Sequence, residues 1–184
     1  MTTIEIPGYR AGTWVLDPSH SEVTFSVRHM MISKVRGSFG MKSATLVAPE
    51  NPLDAKVTAS VDVTSIDTND EGRDGHLRSA DFFDSETFPT MEFVSTGARV
   101  EGGDFFIDGD LTIRDVTKPV SFEFEFGGFG QDPYGNYKAG ASAMTTINRE
   151  DFGLTWNAAL ETGGVLVGKD ITINLDLQGA LQQD

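Results

Sequence analysis

The sequence predicts an all-β fold, an antiparallel barrel of about eight strands broken once by a folded crossing with a short helix at residues 69–90. Three observations lead there. Segment after segment alternates apolar and polar residues with a period of two, which gives a strand one buried face and gives a helix none. No helix-length pattern recurs between these segments, so an alternating strand–helix architecture is excluded. The one long interruption, Asn69–Phe93, is rich in aromatic and charged residues, as befits a connection that covers something. A sandwich or an up-and-down barrel would satisfy this pattern. The barrel is favoured because each strand offers a single apolar face, and a ring of about eight strands can hold one small ligand.

In chain order, residues 1–12 read as a loosely held arm and residues 13–184 as one domain. Trp14 and Leu16 alternate ahead of a turn at Asp17-Pro18-Ser19; Val23, Phe25, Val27 and His29 then line one face of a strand. Met30, Met31 and Ile32 continue as an apolar cluster, and Gly37 and Gly40 suit a bend or bulge before a short strand at Lys42–Ala48. Ala55–Ile66 alternates cleanly.

In the crossing, His76, Leu77, Phe82 and Phe83 can form one apolar stripe while Arg73, Asp74, Arg78, Asp81 and Asp84 pair across turns, until Pro89 stops any helix. Met91–Val100 and Phe105–Arg114, around Gly102-Gly103, make a hairpin. Val120–Phe126 alternates without a miss, Gly127–Asn136 is a glycine-rich turn, and Lys138–Asn148 has a side of small residues, Ala139, Ala141 and Ala143. A turn at Arg149–Leu154, with a salt bridge expected between Arg149 and Asp151, and breaks at Gly163-Gly164 and Gly168 precede a last strand through Ile171, Ile173, Leu175 and Leu177.

The 28 acidic residues against 14 basic ones give a net charge of −14. Nucleic-acid binding, which needs Lys and Arg to displace counterions, is excluded as a role, and an anionic membrane surface would repel the chain. With no cysteine there is no disulfide, thiolate metal site or cysteine nucleophile. The first residues lack a basic segment followed by an apolar one, so a cytoplasmic protein without stable membrane insertion is expected if Met1 is the native start. The loop Gly127–Tyr134 offers a surface on which two copies could pair as a homodimer.

Several stretches resemble one family. Asp17-Pro18-Ser19-His20-Ser21 through His29, followed by Val35-Arg36-Gly37-Ser38-Phe39, is similar to the N-terminal signature of the YceI-like polyisoprenoid-binding proteins. Arg73-Asp74-Gly75-His76-Leu77-Arg78-Ser79-Ala80-Asp81-Phe82-Phe83, Phe88-Pro89-Thr90-Met91-Glu92-Phe93, Val116-Thr117-Lys118-Pro119 and Ile147-Asn148-Arg149-Glu150-Asp151-Phe152-Gly153 resemble its later segments, in order. The resemblance implies an extended lipocalin-like barrel, a helix near its mouth, and a long apolar pore that binds a polyisoprenoid. It implies binding or carriage with no established reaction, and many members work in the periplasm behind a signal peptide. Asp115 stands where the family commonly has glycine, so a local difference in that turn is expected.

The candidate ligand-binding residues are Val23, Phe25, Val27, Phe93, Phe122, Phe124 and Trp156 as lining, with His29, Met30 and Phe82 near the opening. The expected ligand is a polyprenyl chain or isoprenoid quinone, held for carriage, storage or sequestration without catalysis and without a required cofactor. A different class of function would place His20, His29 or His76 as general base or metal ligand in a small-molecule enzyme. No pair of histidines has metal-motif spacing; a turn role for His20 and hydrogen bonding within the crossing for His76 are favoured over ligation. Another amphiphile, such as a fatty acid or fatty amide, is the remaining alternative.

Overall fold

In a computed structural model that describes residues 4–158, 160, 164 and 166–183, every strand among the described residues pairs into one closed sheet. Among the described residues the strands are β1 (Gly12–Leu16), β2 (Glu22–His29), β3 (Ser33–Ala48), β4 (Lys56–Asp67), β5 (Thr90–Glu101), β6 (Asp104–Ile113), β7 (Val116–Gln131), β8 (Tyr137–Asn148) and β9 (Val167–Leu181). One helix, α1 (Glu71–Arg78), lies in the crossing. All pairings are antiparallel and run β3-β2-β9-β8-β7-β6-β5-β4, and β4 returns to β3. The result is an eight-position barrel.

The ninth strand fits because β1 and β2 share one position in the ring. Both lie between β3 and β9, β1 at Trp14↔Leu46 and Trp14↔Leu181, β2 at Val23↔Phe39 and Val23↔Leu175. Between them the chain makes a single 3₁₀ turn at Pro18–His20, capped by the Asp17 carboxylate. Proline has no N–H to give to a ladder, so the ladder breaks here. Asp17 N–H donates to the Gln178 carbonyl at 2.8 Å, and the Ser21 hydroxyl accepts from Gln178 N–H at 3.1 Å, which bridges the gap. Hydrogen bonds from Ser19 and then His20 hold the Asp17 carboxyl at about 2.

Several strands outrun their sequence pattern. The expected bend at Gly37–Gly40 is a pair of register shifts within one continuous β3, opposite β4 at Ser38/Gly40 and Met41/Ser43. Gly37 has a second use: a side chain there would strike the Phe25 ring at 2.4 Å, so the glycine makes room for that ring. β7 runs on through the glycine-rich stretch to Gln131, with a slip between Phe126 and Gly128. The Ile113–Val116 turn takes its positive φ, 58°, at Arg114, one residue before the expected Asp115. The described part of the arm is pinned: Tyr9 donates to the Pro49 carbonyl at 2.7 Å, Tyr137 to Gly8 at 2.5 Å, and Trp14 Nε1 to Arg10 at 3.1 Å. Residues 1–3 and Gly163 lie outside the described residues.

The crossing packs one end of the tube. Val63, Ile66, Phe39, Phe152 and Leu154 form a solid core there, with Leu77 and Phe83 against it. Asp70 caps α1 by accepting from Arg73 N–H at 3.0 Å. The expected ion pairs among Arg73, Asp74, Arg78 and Asp84 are replaced by something more local. Arg73 donates to the Thr68 carbonyl at 2.7 Å, and Arg78 donates to the carbonyls of Thr64 and Ile66. Buried Asp74 accepts from Thr68 N–H at 2.9 Å. The arginines therefore fasten the helix to the end of β4, where carbonyls lack ladder partners. The apolar stripe also shortens, since α1 ends at Arg78 and Phe82 and Phe83 follow in turns.

Arg149 departs most from expectation. It is 3% exposed and makes no salt bridge with Asp151. Its guanidinium donates to four carbonyls, those of Gly168 (2.8 Å), Leu154 (2.5 Å), Trp156 (3.0 Å) and Val167 (3.3 Å). Burial pushes its pKa down from the usual arginine value. A planar fork of donors suits carbonyls converging from the start of β9 and from the coil after the 3₁₀ turn at Arg149–Phe152. Arg149→Met is therefore expected to lower unfolding free energy by about 3 kcal/mol, because it strands buried acceptors. Denaturant unfolding checks this; a loss under ~1 kcal/mol contradicts it. For Asp17, carboxyl NMR titration should find a midpoint at about 2 that rises in Ser19→Ala, with the stabilising contribution present above the ordinary carboxylate range and lost as pH falls through about 2.

Candidate apolar binding chamber

The alternation that builds the walls also decides what faces inward. On β7 the inward residues are Phe122, Phe124 and Phe126; after the slip at Gly128, Phe129 joins them. Each of the last three stands directly opposite an alanine of β8: Phe124↔Ala143, Phe126↔Ala141 and Phe129↔Ala139. A large ring beside a small residue can lean along the wall instead of crossing the interior. The wall across the barrel is equally small, with Ala44 of β3 opposite Ala59 of β4 and Leu46 opposite Val57. Space remains in the middle.

That space forms two adjoining apolar chambers that share Ala44, Val57, Phe124 and Leu177 in their walls. The deep chamber is bounded by Val23, Met41, Val61, Met91, Phe93, Ile107, Leu111 and Phe122. The second, toward the arm, is bounded by Tyr9, Trp14, Leu46, Phe126, Phe129 and Ala141. The volume open to the centre of a water-sized sphere is about 130 Å³ in the first and about 100 Å³ in the second. On that measure one water needs roughly 10–15 Å³, so each holds several atoms' worth of ligand. Phe124, Leu175, Leu177 and Val57 point inward yet are only half-buried. Each of them lines one or both chambers.

Aromatic rings meet in pairs along this wall. Phe93 meets Phe122 edge-on at 5.4 Å, Phe124 meets Phe126 at 4.9 Å, Phe126 stacks on Phe129 at 5.5 Å, and Phe129 on Tyr137 at 6.2 Å. Trp14 closes this row edge-on to Phe129 at 5.9 Å, and the Arg10 guanidinium lies over Tyr137 at 3.7 Å. The arm thus crosses the end of the tube opposite α1. Polar groups are sparse within. The Glu92 carboxylate accepts from the Ser60 hydroxyl on the outer face, and neither chamber wall carries a histidine.

Four of the ten candidate residues, Val23, Phe93, Phe122 and Phe124, stand in these walls. The other six do not. Phe25 lies against Phe39 at 5.4 Å over Gly37, and Val27 pairs with Val35 and Ile171 beyond the deep chamber. Phe82 and Trp156 pack with His76 under the crossing, at 5.2 and 4.6 Å from the histidine ring, and His29 and Met30 flank the β2–β3 turn. The helix and these residues sit at the packed end, not at a mouth. Sequence reasoning misses Trp14, Tyr9, Phe126 and Phe129 as walls, whereas the small side of β8, Ala139, Ala141 and Ala143, faces inward as its alternation suggests; extending the β7 lining to Phe126 would have found one of those missed.

Two of the three histidines are engaged locally. His20 bonds Asp17 at 2.7 Å and His76 bonds Asp81 at 2.9 Å. Among the described residues no group of three histidine or carboxylate side chains has a geometry that could hold a metal ion. No helix among them is long and apolar enough to cross a membrane.

Known proteins share this architecture. A UPF0312 protein of Staphylococcus aureus (strain MSSA476) is 36% identical over 172 residues, covering 92% of this chain and 98% of that protein. BcnA of Burkholderia cenocepacia superposes with a TM-score of 0.76 at 22% identity, covering 89% of this chain and 98% of that one. A polyisoprenoid binding domain from Saccharophagus degradans superposes with a TM-score of 0.65 at 13% identity over 92% and 98% of the two chains. The Campylobacter jejuni YceI protein has 27% identity and a TM-score of 0.67, over 85% and 90%. The family model described as the YceI-like domain matches residues 14–179, and the chain belongs to that family.

Proposed function

We propose that the barrel binds one long isoprenoid lipid, a polyprenyl chain or the tail of an isoprenoid quinone, and carries or sequesters it without chemical change and without a required cofactor. The observation that supports this most is the adjoining pair of apolar chambers walled by Phe122, Phe124 and Phe126 against Ala141 and Ala143. Such walls give an apolar chain contact along its length and offer no acid or base to act on it. Transfer of each methylene from water contributes about 0.8 kcal/mol, so a few prenyl units are enough for tight binding. Membership of the YceI-like family supports the reading, as does the likeness to a fold neighbour described as a polyisoprenoid binding domain.

In this reading the tail threads the tube from the arm end, past Trp14, and stops at the core under the crossing. A quinone head would then rest beside Trp14, far from Trp156. Titration of the full chain with an isoprenoid quinone is expected to quench tryptophan emission strongly in Trp156→Phe, which keeps Trp14, and weakly in Trp14→Phe. Equal quenching in both contradicts the threading direction. Phe124→Asp and Ala141→Phe, one charging and one filling the channel, should each weaken uptake at least tenfold while thermal unfolding stays cooperative. Uptake unchanged in both folded variants would sink the proposal.

A further inference from the structure

The β2–β3 hairpin breaks local rules in a way the binding chamber does not use. Met30 and Met31 both have positive φ, 53° and 62°, and Ile32 N–H donates to the His29 carbonyl at 3.3 Å. This is the mirror-image two-residue turn that favours Asn-Gly, and methionine is strained there. The tip also leaves apolar side chains in water: Met30 is 43% exposed, Met31 60% and Ile32 80%.

The flanks are as unusual as the tip. Arg28 stands directly opposite Lys34 in the ladder, and Arg36 follows on the same exposed outer face. Like charges so placed destabilise a hairpin. None of the three forms an ion pair among the described residues. From Val23 to Pro49 there is no Asp or Glu, in a chain of net charge −14. The acids nearest in register are Asp67, opposite Ser38, and Asp170 early in β9; Glu150 is taken up by Lys169 at 3.4 Å.

We infer that this hairpin docks the protein on an anionic lipid bilayer, with Met30, Met31 and Ile32 entering the interface and Arg28, Lys34 and Arg36 meeting phosphates. The charge pattern selects this occupant. Hydrocarbon below a layer of negative charge complements an apolar tip flanked by three cations, whereas a second copy meeting it hairpin to hairpin would oppose the same cations. The repulsion expected of the whole acidic chain still acts, and it orients the molecule with this end toward the surface. The hairpin lies at the packed end, so docking is separate from entry at the arm.

The test is flotation of the full chain with vesicles of phosphatidylcholine alone or with added phosphatidylglycerol, free of isoprenoids. The wild type should float with the anionic vesicles and detach as salt rises. Each basic residue near such a surface is worth about fivefold in partition, so Lys34→Ser with Arg36→Ser should lose roughly thirtyfold. Met30→Asn with Met31→Gly fits the turn better; it should keep or raise the thermal midpoint while losing about tenfold or more in partition. Wild type that fails to float with anionic vesicles at low salt overturns the inference, as does variant binding equal to wild type. A change in lipid-free sedimentation with vesicle binding intact would mark the tip as a contact between copies, and would also overturn it.

Discussion

A ring closed at eight strand positions has a set diameter, and the side chains given to it decide whether it is solid or hollow. Toward the crossing, Phe39, Ile66 and Phe152 fill it. In the middle and toward the arm, Ala44, Ala59, Ala141 and Ala143 face in and leave it open. Walls of small side chains forgo contacts that a filled core would make. The solid end offsets this, and an apolar ligand in the chamber would restore the missing contacts and stabilise the fold by linkage.

The two ends are built from different chemistry. At the crossing, Arg73, Arg78 and Arg149 spend their donors on backbone carbonyls left over where strands end. These are directional contacts that fix a plug in place, and they explain why so charged a segment forms few ion pairs. At the arm, a small number of ring hydroxyls and one indole hold a short segment against aromatic faces. A segment held by so few contacts opens at lower cost than a packed core. A tube with one fastened end and one tied end has a direction, and the direction is a property of the closed ring.

Much of this was legible in the sequence, because period-two alternation reports a strand's buried face whatever its neighbours are. Val23, Phe93, Phe122 and Phe124 were read as lining on that basis and stand in the chamber walls. Phe126 was passed over because the glycines after it look like a turn, although β7 continues through them and a one-residue slip brings Phe129 inward. The clustering of aromatics and methionines in sequence suggests an opening near Phe82, His29 and Met30 and a place in the lining for Trp156. Which end of a barrel is plugged depends on contacts between segments far apart in the chain, such as Phe39 with Phe83 at 5.5 Å, and no local pattern carries that. Arg149 was paired with its neighbour Asp151 for the same reason, while its acceptors come from Leu154 to Gly168.

The account rests on the chamber being a site for an elongated apolar ligand rather than a packing defect. Native mass spectrometry of protein purified without detergent, followed by extraction and identification of what is released, tests this most directly. One prenyl lipid per chain is expected, bound in wild type and absent from Ala141→Phe. Protein that emerges free of lipid and takes up no isoprenoid quinone on titration would contradict it.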